Sequence, residues 1–249
     1  ENKIDIVIES TGIFRIKKQI QKHLEAGAKK VILTVPAKDE IDYTVVLGVN
    51  EEGINSSHNI ISNASCTTNC LAPMAKIIHE NFKIVKGVIN TIHAYTNDQR
   101  LADVPHKDLR RSRAAAENII PTSTGAARAV GKVLPDLEGK LDGIACRVPI
   151  PDGSAVDLFV EVEKQINIKD LNEIIKSNSQ TDSLKNILEY SESPIVSTDI
   201  IGNSKSSIYD PSGTNVINGK YLRTLNWYDN EWGYSNRVVD LVNLLGKLI

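Results

Sequence analysis

The period of the apolar positions changes several times along the chain. "IDIVIES" is a short apolar run that ends at Ser10-Thr11-Gly12, after which Ile16, Ile20 and Leu24 recur at helical spacing until Gly27 offers a stop. "KKVILTVP", Thr44 to Val49 and Asn59 to Ser62 read as three further strands. Strands alternating with one helix and short connections predict part of a parallel, doubly wound α/β sheet. Leu71, Met74, Ala75, Ile78 and Phe82 return to helical spacing, so Cys66 falls in the first turn of a helix that begins just beyond a strand's carboxyl end. Open α/β sheets hold their ligands there. Pro73 sits inside that helix and predicts a kink or a loosened turn, because proline removes a backbone donor.

After Lys83 the pattern changes again. "IVKGVINTIHAY" and "AVDLFVEVEK" read as strands of a half-solvated sheet, with Val156, Leu158, Val160 and Val162 facing one way. Asn167 is placed to cap a helix carrying Ile168, Leu171, Ile174 and Ile175. "KYLRTLNWYDN" reads as a strand, and Ser235 to Leu248 as a strongly apolar helix. Two domains are expected: residues 1–65 as part of a parallel α/β domain, and residues 66–232 as an α+β domain with a mostly antiparallel sheet, followed by the apolar helix over 233–249.

Composition narrows the picture. At 249 residues, 41% hydrophobic and 24% charged, the chain can bury a substantial core. Its 29 Lys and Arg against 31 Asp and Glu leave a formal charge of -2, so no global field draws it to nucleic acid or anionic membranes. Any anion must be held locally. No apolar run is long enough to span a membrane and no signal peptide is visible. Three cysteines, Cys66, Cys70 and Cys146, do not make a disulfide framework and favour a reducing, cytoplasmic setting. The chain opens without Met directly in a strand, and so reads as a piece of a longer protein.

Candidate chemistry gathers at "SNASCTTNC". A thiol at a helix N-terminus sees the partial positive charge of unpaired N–H groups, which predicts a lowered pKa and a nucleophile at Cys66. An arbitrary cysteine is more often a small core residue. Ser65, Thr67, Thr68 and Asn69 argue otherwise at this one. Cys70, one turn on, reads as structural, and a C-x-x-x-C pair without two further ligands is a poor zinc site, so no metal is expected. His93, at the end of a strand in "NTIHAYTND", is the best-placed base of five histidines, whereas His23 on a helix and His58 in a loop read as solvated surface. Spacing alone leaves Cys66 and His93 open to several cysteine chemistries.

"ASCTTNCLAP", "HAYTNDQR", "DVPHKDLRRSRAAAENIIPTSTGAA" and "WYDNEWGYSNR" together resemble phosphorylating glyceraldehyde-3-phosphate dehydrogenase, in the same order and across the whole chain. Relative to that family about the first quarter is missing, including the G-x-G-x-x-G turn and the acidic residue for the adenosine ribose. The resemblance implies a partial Rossmann-type domain and a catalytic domain. It implies that Cys66 attacks the aldehyde of glyceraldehyde 3-phosphate, that His93 is the base, and that inorganic phosphate resolves a thioester. Thr96, Asp98 and Arg147 match the residues that hold the substrate's phosphate, with Asp98 orienting Arg147. Ser65, Thr67, Thr124, Gly125 and Arg111 match those near inorganic phosphate, Arg111 being preferred to Arg110 or Arg113 by position. Thr11, Gly12 and Thr34 resemble residues along an NAD cofactor, Asn230 the residue that bonds its carboxamide, and Tyr234 one that packs against its ring. Trp227 and Trp232 are assigned to packing.

The same resemblance implies a homotetramer, with the charged loop from Asn97 to Arg113 at a subunit seam, where Val104-Pro105 resembles the NAD-preferring form. "LTVPAKDE" departs from the family by a valine before the proline. The nearest rival is erythrose-4-phosphate dehydrogenase, which shares the thiol and base. A cysteine hydrolase would not need Asn230, and a truncated chain without catalytic activity is the third alternative.

Overall fold

The computed structural model describes residues 3–249. Its first layer contains β1 (Ile6–Glu9), α1 (Lys17–Glu25), β2 (Lys30–Leu33), β3 (Tyr43–Thr44) and β4 (Ile60–Ser62). The four strands pair in parallel in the order β1-β2-β4-β3. β2 and β4 are buried along their whole length, as unbroken apolar runs in a parallel sheet must be. α1 buries Ile20 against Val31, Leu33 and Ile60.

The chain then enters α2 (Cys66–Phe82), β5 (Ile84–Ala94), β6 (Ile120–Ser123), α3 (Ala126–Val133), β7 (Leu141–Val148), β8 (Ser154–Val162), α4 (Ile168–Asn178), β9 (Leu188–Tyr190), β10 (Ser207–Ile217), β11 (Tyr221–Tyr228) and α5 (Trp232–Gly246). Seven of these form a mixed sheet in the order β6-β7-β5-β8-β11-β10-β9. Pairing is antiparallel except between β5 and β7 and between β9 and β10. This is an α/β fold: part of a parallel sheet joined to a mostly antiparallel one, as the patterning predicts.

α2 holds the two layers together. It is buried almost end to end. One core cluster runs through it from Ile32, Val45 and Ile61 on the parallel side to Val156, Leu158 and Val160 of β8 and to Leu241 and Leu245 of α5. The helix continues through Pro73 without interruption. Val156, Leu158, Val160 and Val162 do share the buried face of β8, while Phe159 is exposed on the other.

Several sequence expectations need correcting. Thr44 to Val49 is not a strand: only Tyr43–Thr44 pair with β4. The Asn50 side chain accepts from the Val46 N–H (2.9 Å) and donates to the Thr44 carbonyl (3.0 Å), and Gly48 takes φ +82, so the valine run folds into a buried turn. β10 lacks a clean apolar alternation because Asp210 accepts from the Ser212 and Gly213 N–H groups and sets a bulge in mid-strand, where the register against β11 shifts. The last helix begins at Trp232, three residues before the predicted start. His23 is no solvated surface residue, since its Nε2 lies 2.7 Å from Oε2 of the buried Glu9. His58 is half-buried and stacks on Tyr43 at 5.0 Å between ring centroids.

Candidate active site

Cys66 is the first residue of α2, four residues beyond the carboxyl end of β4. Ser65 is the N-cap: its Oγ accepts from the Thr68 N–H (3.1 Å) and pairs with Thr68 Oγ1 (2.7 Å). The turn from strand to helix is tight enough to force Ala64 to φ +53, a left-handed conformation that a residue with a Cβ adopts at a cost of about 1–2 kcal/mol. Two side chains hold it. Asn69 Nδ2 donates to the carbonyls of Asn63 (2.8 Å) and Ser65 (3.0 Å), and Tyr234 Oη donates to the Ala64 carbonyl (3.1 Å).

His93 stands near the end of β5 on the face that meets α2, and its Nε2 lies 3.5 Å from Cys66 Sγ. Parallel register pairs His93 with Arg147 on β7, so both side chains leave the same face side by side. Arg147 Nη1 is 2.7 Å from His93 Nδ1 and donates to the Ala94 carbonyl (3.0 Å), which itself lies 2.7 Å from Nδ1. Tyr228 meets the imidazole edge-on at 5.8 Å, and its hydroxyl bonds Thr67 Oγ1 (2.8 Å) and Thr91 Oγ1 (3.0 Å). The His93 imidazole is thus wedged between a guanidinium and a buried phenol ring.

The electrostatics overturn one expectation. Burial pushes the Cys66 thiol up from 9.0 to about 11, and the opposing pull of Arg147 and the Thr67 hydrogen bonds does not offset it. Burial, reinforced by the Arg147 cation, pushes His93 down from 6.5 to about 4. The rise in the thiol corresponds to roughly 3 kcal/mol, whereas a helix end contributes about 1 kcal/mol or less. Desolvation wins, and the resting pair is a neutral thiol against a neutral imidazole. Proton transfer must then accompany attack by the sulfur.

The polar residues singled out from the sequence gather around this pair in two clusters. Asp98 lies 2.6 Å from Arg111 Nη1 and 3.6 Å from Arg147 Nη2, and Thr96 Oγ1 donates to it. Burial opposes ionisation of Asp98, but Thr96 and the two arginines outweigh it and hold the carboxyl below the usual range. Arg111, grouped from the sequence with Thr124 and Gly125, reaches Asp98 and Thr122 Oγ1 (2.9 Å) and so joins the Arg147 cluster. The second cluster joins two helix starts: Thr68 Oγ1 donates to the Ala126 carbonyl (3.4 Å), and Thr124 Oγ1 accepts from the Ala126 N–H (3.2 Å) beside Gly125, the N-cap of α3. Thr67 is buried, its hydroxyl engaged by Tyr228 beneath the helix.

On the parallel sheet, Thr11 and Gly12 follow β1, and the Thr34 N–H after β2 donates to the Glu9 carbonyl (3.1 Å). Gly12 takes φ +69 and faces open space. Glu9 accepts from the Thr11 N–H (2.9 Å) and pairs with His23. At the start of α5, Asn230 Oδ1 accepts from Ser154 Oγ (2.5 Å), while its Nδ2 has only a long contact to Glu231 (3.4 Å). The small polar groups and the glycine at the strand ends suit a dinucleotide, and the Asn230 amide nitrogen is only weakly engaged. No cluster of three metal-ligating side chains occurs among the described residues. The residues missed from the sequence are Ser154 and Tyr228: each acts by holding a neighbour, and nothing in its local pattern marks it.

A thiol and an imidazole thus face each other where a parallel sheet with open strand ends meets a mostly antiparallel one, an arrangement that fits a cysteine-dependent enzyme of several chemistries. Residues 65–230 match the family model "Glyceraldehyde 3-phosphate dehydrogenase, C-terminal domain". The glyceraldehyde-3-phosphate dehydrogenase of Streptomyces coelicolor is 59% identical over 245 residues, 98% of this chain and 73% of that protein. Glyceraldehyde-3-phosphate dehydrogenase 2 of Streptomyces avermitilis is 58% identical over 248 residues, 99% and 73% of the two chains, and the Mycolicibacterium smegmatis enzyme 58% over 244 residues, 98% and 71%. The chain belongs to the glyceraldehyde-3-phosphate dehydrogenase family.

Proposed function

We propose that this protein catalyses the phosphorylating oxidation of D-glyceraldehyde 3-phosphate to 1,3-bisphosphoglycerate in glycolysis, with Cys66 as nucleophile and His93 as general base. The observation that carries this reading is the 3.5 Å approach of His93 Nε2 to Cys66 Sγ at a helix start. The sulfur adds to the aldehyde carbon while its proton passes, by way of His93, to the carbonyl oxygen. His93 then takes the hydroxyl proton as that carbon is oxidised to a thioester. When bound, NAD supplies the acceptor for the departing hydride. An oxygen of inorganic phosphate attacks the thioester carbon, the C–S bond breaks, and the thiolate recovers a proton from His93.

We assign the substrate's phosphate to Arg147 and Thr96, with Asp98 orienting Arg147. Inorganic phosphate is assigned to the paired helix starts at Ser65, Thr67, Thr124 and Gly125, while Arg111, bonded to Asp98, supports the Arg147 cluster instead. Thr11, Gly12 and Thr34 would hold NAD along the strand ends, Asn230 its carboxamide through the spare Nδ2, and Tyr234 the ring. We assign residues 1–65 with the helix over 233–249 to the nucleotide domain and residues 66–232 to the catalytic domain. A homotetramer working in the cytoplasm completes the reading. Three free thiols support a reducing compartment, and no helix among the described residues is long and apolar enough to cross a membrane.

The test is reduction of NAD by the purified protein. Glyceraldehyde 3-phosphate should be oxidised only when inorganic phosphate is present, and Cys66→Ser should abolish turnover. Faster, phosphate-independent turnover of erythrose 4-phosphate would overturn the assignment.

A further inference from the structure

Asn230 is buried just before α5, in a turn that Asp229 clamps by accepting from the Glu231 (3.0 Å) and Trp232 (2.6 Å) N–H groups. With the main chain fixed, the freedom left to Asn230 is the sense of its amide, whose oxygen only accepts and whose nitrogen only donates. Ser154, the first residue of β8, decides that sense. A hydroxyl carries one proton. The Ala94 N–H already takes a lone pair of Ser154 Oγ (3.1 Å), and the hydroxyl proton goes to Asn230 Oδ1 (2.5 Å). With the amide reversed, that proton would be buried facing a donor and would lose its hydrogen bond. Glu231 adds a second constraint on the other side, since its carboxylate only accepts and lies 3.4 Å from Nδ2. Both constraints keep Oδ1 inward on Ser154 and turn Nδ2 outward.

The amide stands beside the reacting groups. Ala94 follows His93 in β5, and the Glu231 carboxylate is close enough to Cys66 to oppose its ionisation. We propose that Ser154 is the positioning residue of the Asn230 amide: its hydroxyl, shared between the Ala94 N–H and Asn230 Oδ1, keeps Nδ2 outward as a donor. The site then selects a cofactor ring whose substituent offers an acceptor and rejects one whose substituent offers only a donor. This rests on the assignment of Asn230 to the cofactor's carboxamide. The selection is of one end of that group, its carbonyl oxygen over its NH₂. A donor fixed in this way discriminates because the wrong partner leaves it unpaired, whereas an amide free to turn would satisfy either substituent. Ser154 is 1% exposed, so it acts through Asn230 and β5 and not by touching the cofactor itself.

Two dinucleotides that differ from NAD only at the pyridine substituent test this. The acetylpyridine analogue keeps the carbonyl and loses the NH₂; the aminopyridine analogue keeps a donor and has no carbonyl. Their dissociation constants are measured by calorimetry on the full chain. Wild type should bind the acetyl form about tenfold more tightly than the amino form, the worth of one hydrogen bond against an unpaired donor, and Asn230→Ala gives the ratio that remains without the amide. In Ser154→Ala, or Ser154→Cys where the alanine variant folds poorly, the ratio should fall to that of Asn230→Ala. A purely structural role for Ser154 would weaken both analogues together and leave the ratio as in wild type. That result overturns the proposal, as does a wild type that binds the two analogues equally. A wild-type preference that persists in Asn230→Ala overturns instead the assignment of Asn230 to the carboxamide.

Discussion

At the scale of single residues, the site is governed by what burial does to two titratable groups. With the thiol near 11 and the imidazole near 4, neither is charged at neutral pH in the unliganded chain. Cys66 alkylation by iodoacetamide should therefore be slow at neutral pH and climb as pH rises toward 11, and a plateau below pH 8 would contradict the assignment. His93→Asn should lower kcat by about 10²- to 10⁴-fold, the usual worth of a general base, and steady-state kinetics will read it. His93 also links stability to pH. Its folded pKa lies below its ordinary 6.5, so the unfolded chain takes the proton first, and the His93 contribution is complete above 6.5 and lost as pH falls from there toward 4. Urea titrations across that window should show the loss in wild type and much less of it in His93→Asn. Cys66 and His93, which the structure brings to 3.5 Å, could be picked out in the sequence because each interrupts a pattern, Cys66 with polar neighbours and His93 at a strand end. Their protonation states were not legible: the helix-end effect can be read from position, but the larger desolvation depends on Tyr228 and β5, which arrive from elsewhere in the chain.

At the scale of elements, the start of α2 carries several constraints in a few residues: a left-handed alanine, a serine cap and a thiol. Ser65→Ala removes the acceptor for the Thr68 N–H and should cost about 1 kcal/mol, measured by denaturant unfolding, with Ser65→Asp recovering most of it. The strands that alternate cleanly, β8 and β11, were readable, and so was α4 with its Asn167 cap, whose Oδ1 accepts from the Asp170 N–H (2.9 Å). β3 and β10 were not, and for a common reason. In each, a side-chain carbonyl or carboxylate, that of Asn50 or Asp210, takes backbone donors and bends the chain. Such competition leaves only an Asn or Asp in the sequence, residue types that occur at many other positions without that role. The pairing of His93 with Arg147 is likewise a property of β5 and β7 register, invisible until both strands are placed.

At the scale of the whole molecule, the outer face of the seven-stranded sheet is conspicuously apolar. Val88, Phe159 and Ile217 are 55%, 43% and 59% exposed around a shallow groove that Lys86 and Arg223 border, and Ile144 is 51% exposed on β7. Apolar patches of this kind mark association surfaces. If copies of the chain meet through this face, Phe159→Glu should shift the assembly to a smaller species in sedimentation without changing the monomer's circular dichroism. A sedimentation profile identical to wild type would exclude this sheet as the contact.

α2 is common property of both layers, and outside the small cluster that α1 buries on Val31, Leu33 and Ile60 the parallel sheet has no interior to fall back on when the other opens. Heating should give a single calorimetric transition in which the parallel and antiparallel halves melt together. Stress that silences the enzyme while leaving that transition intact must then act at the rim, on the loop from Asn97 to Arg113 or at the strand ends.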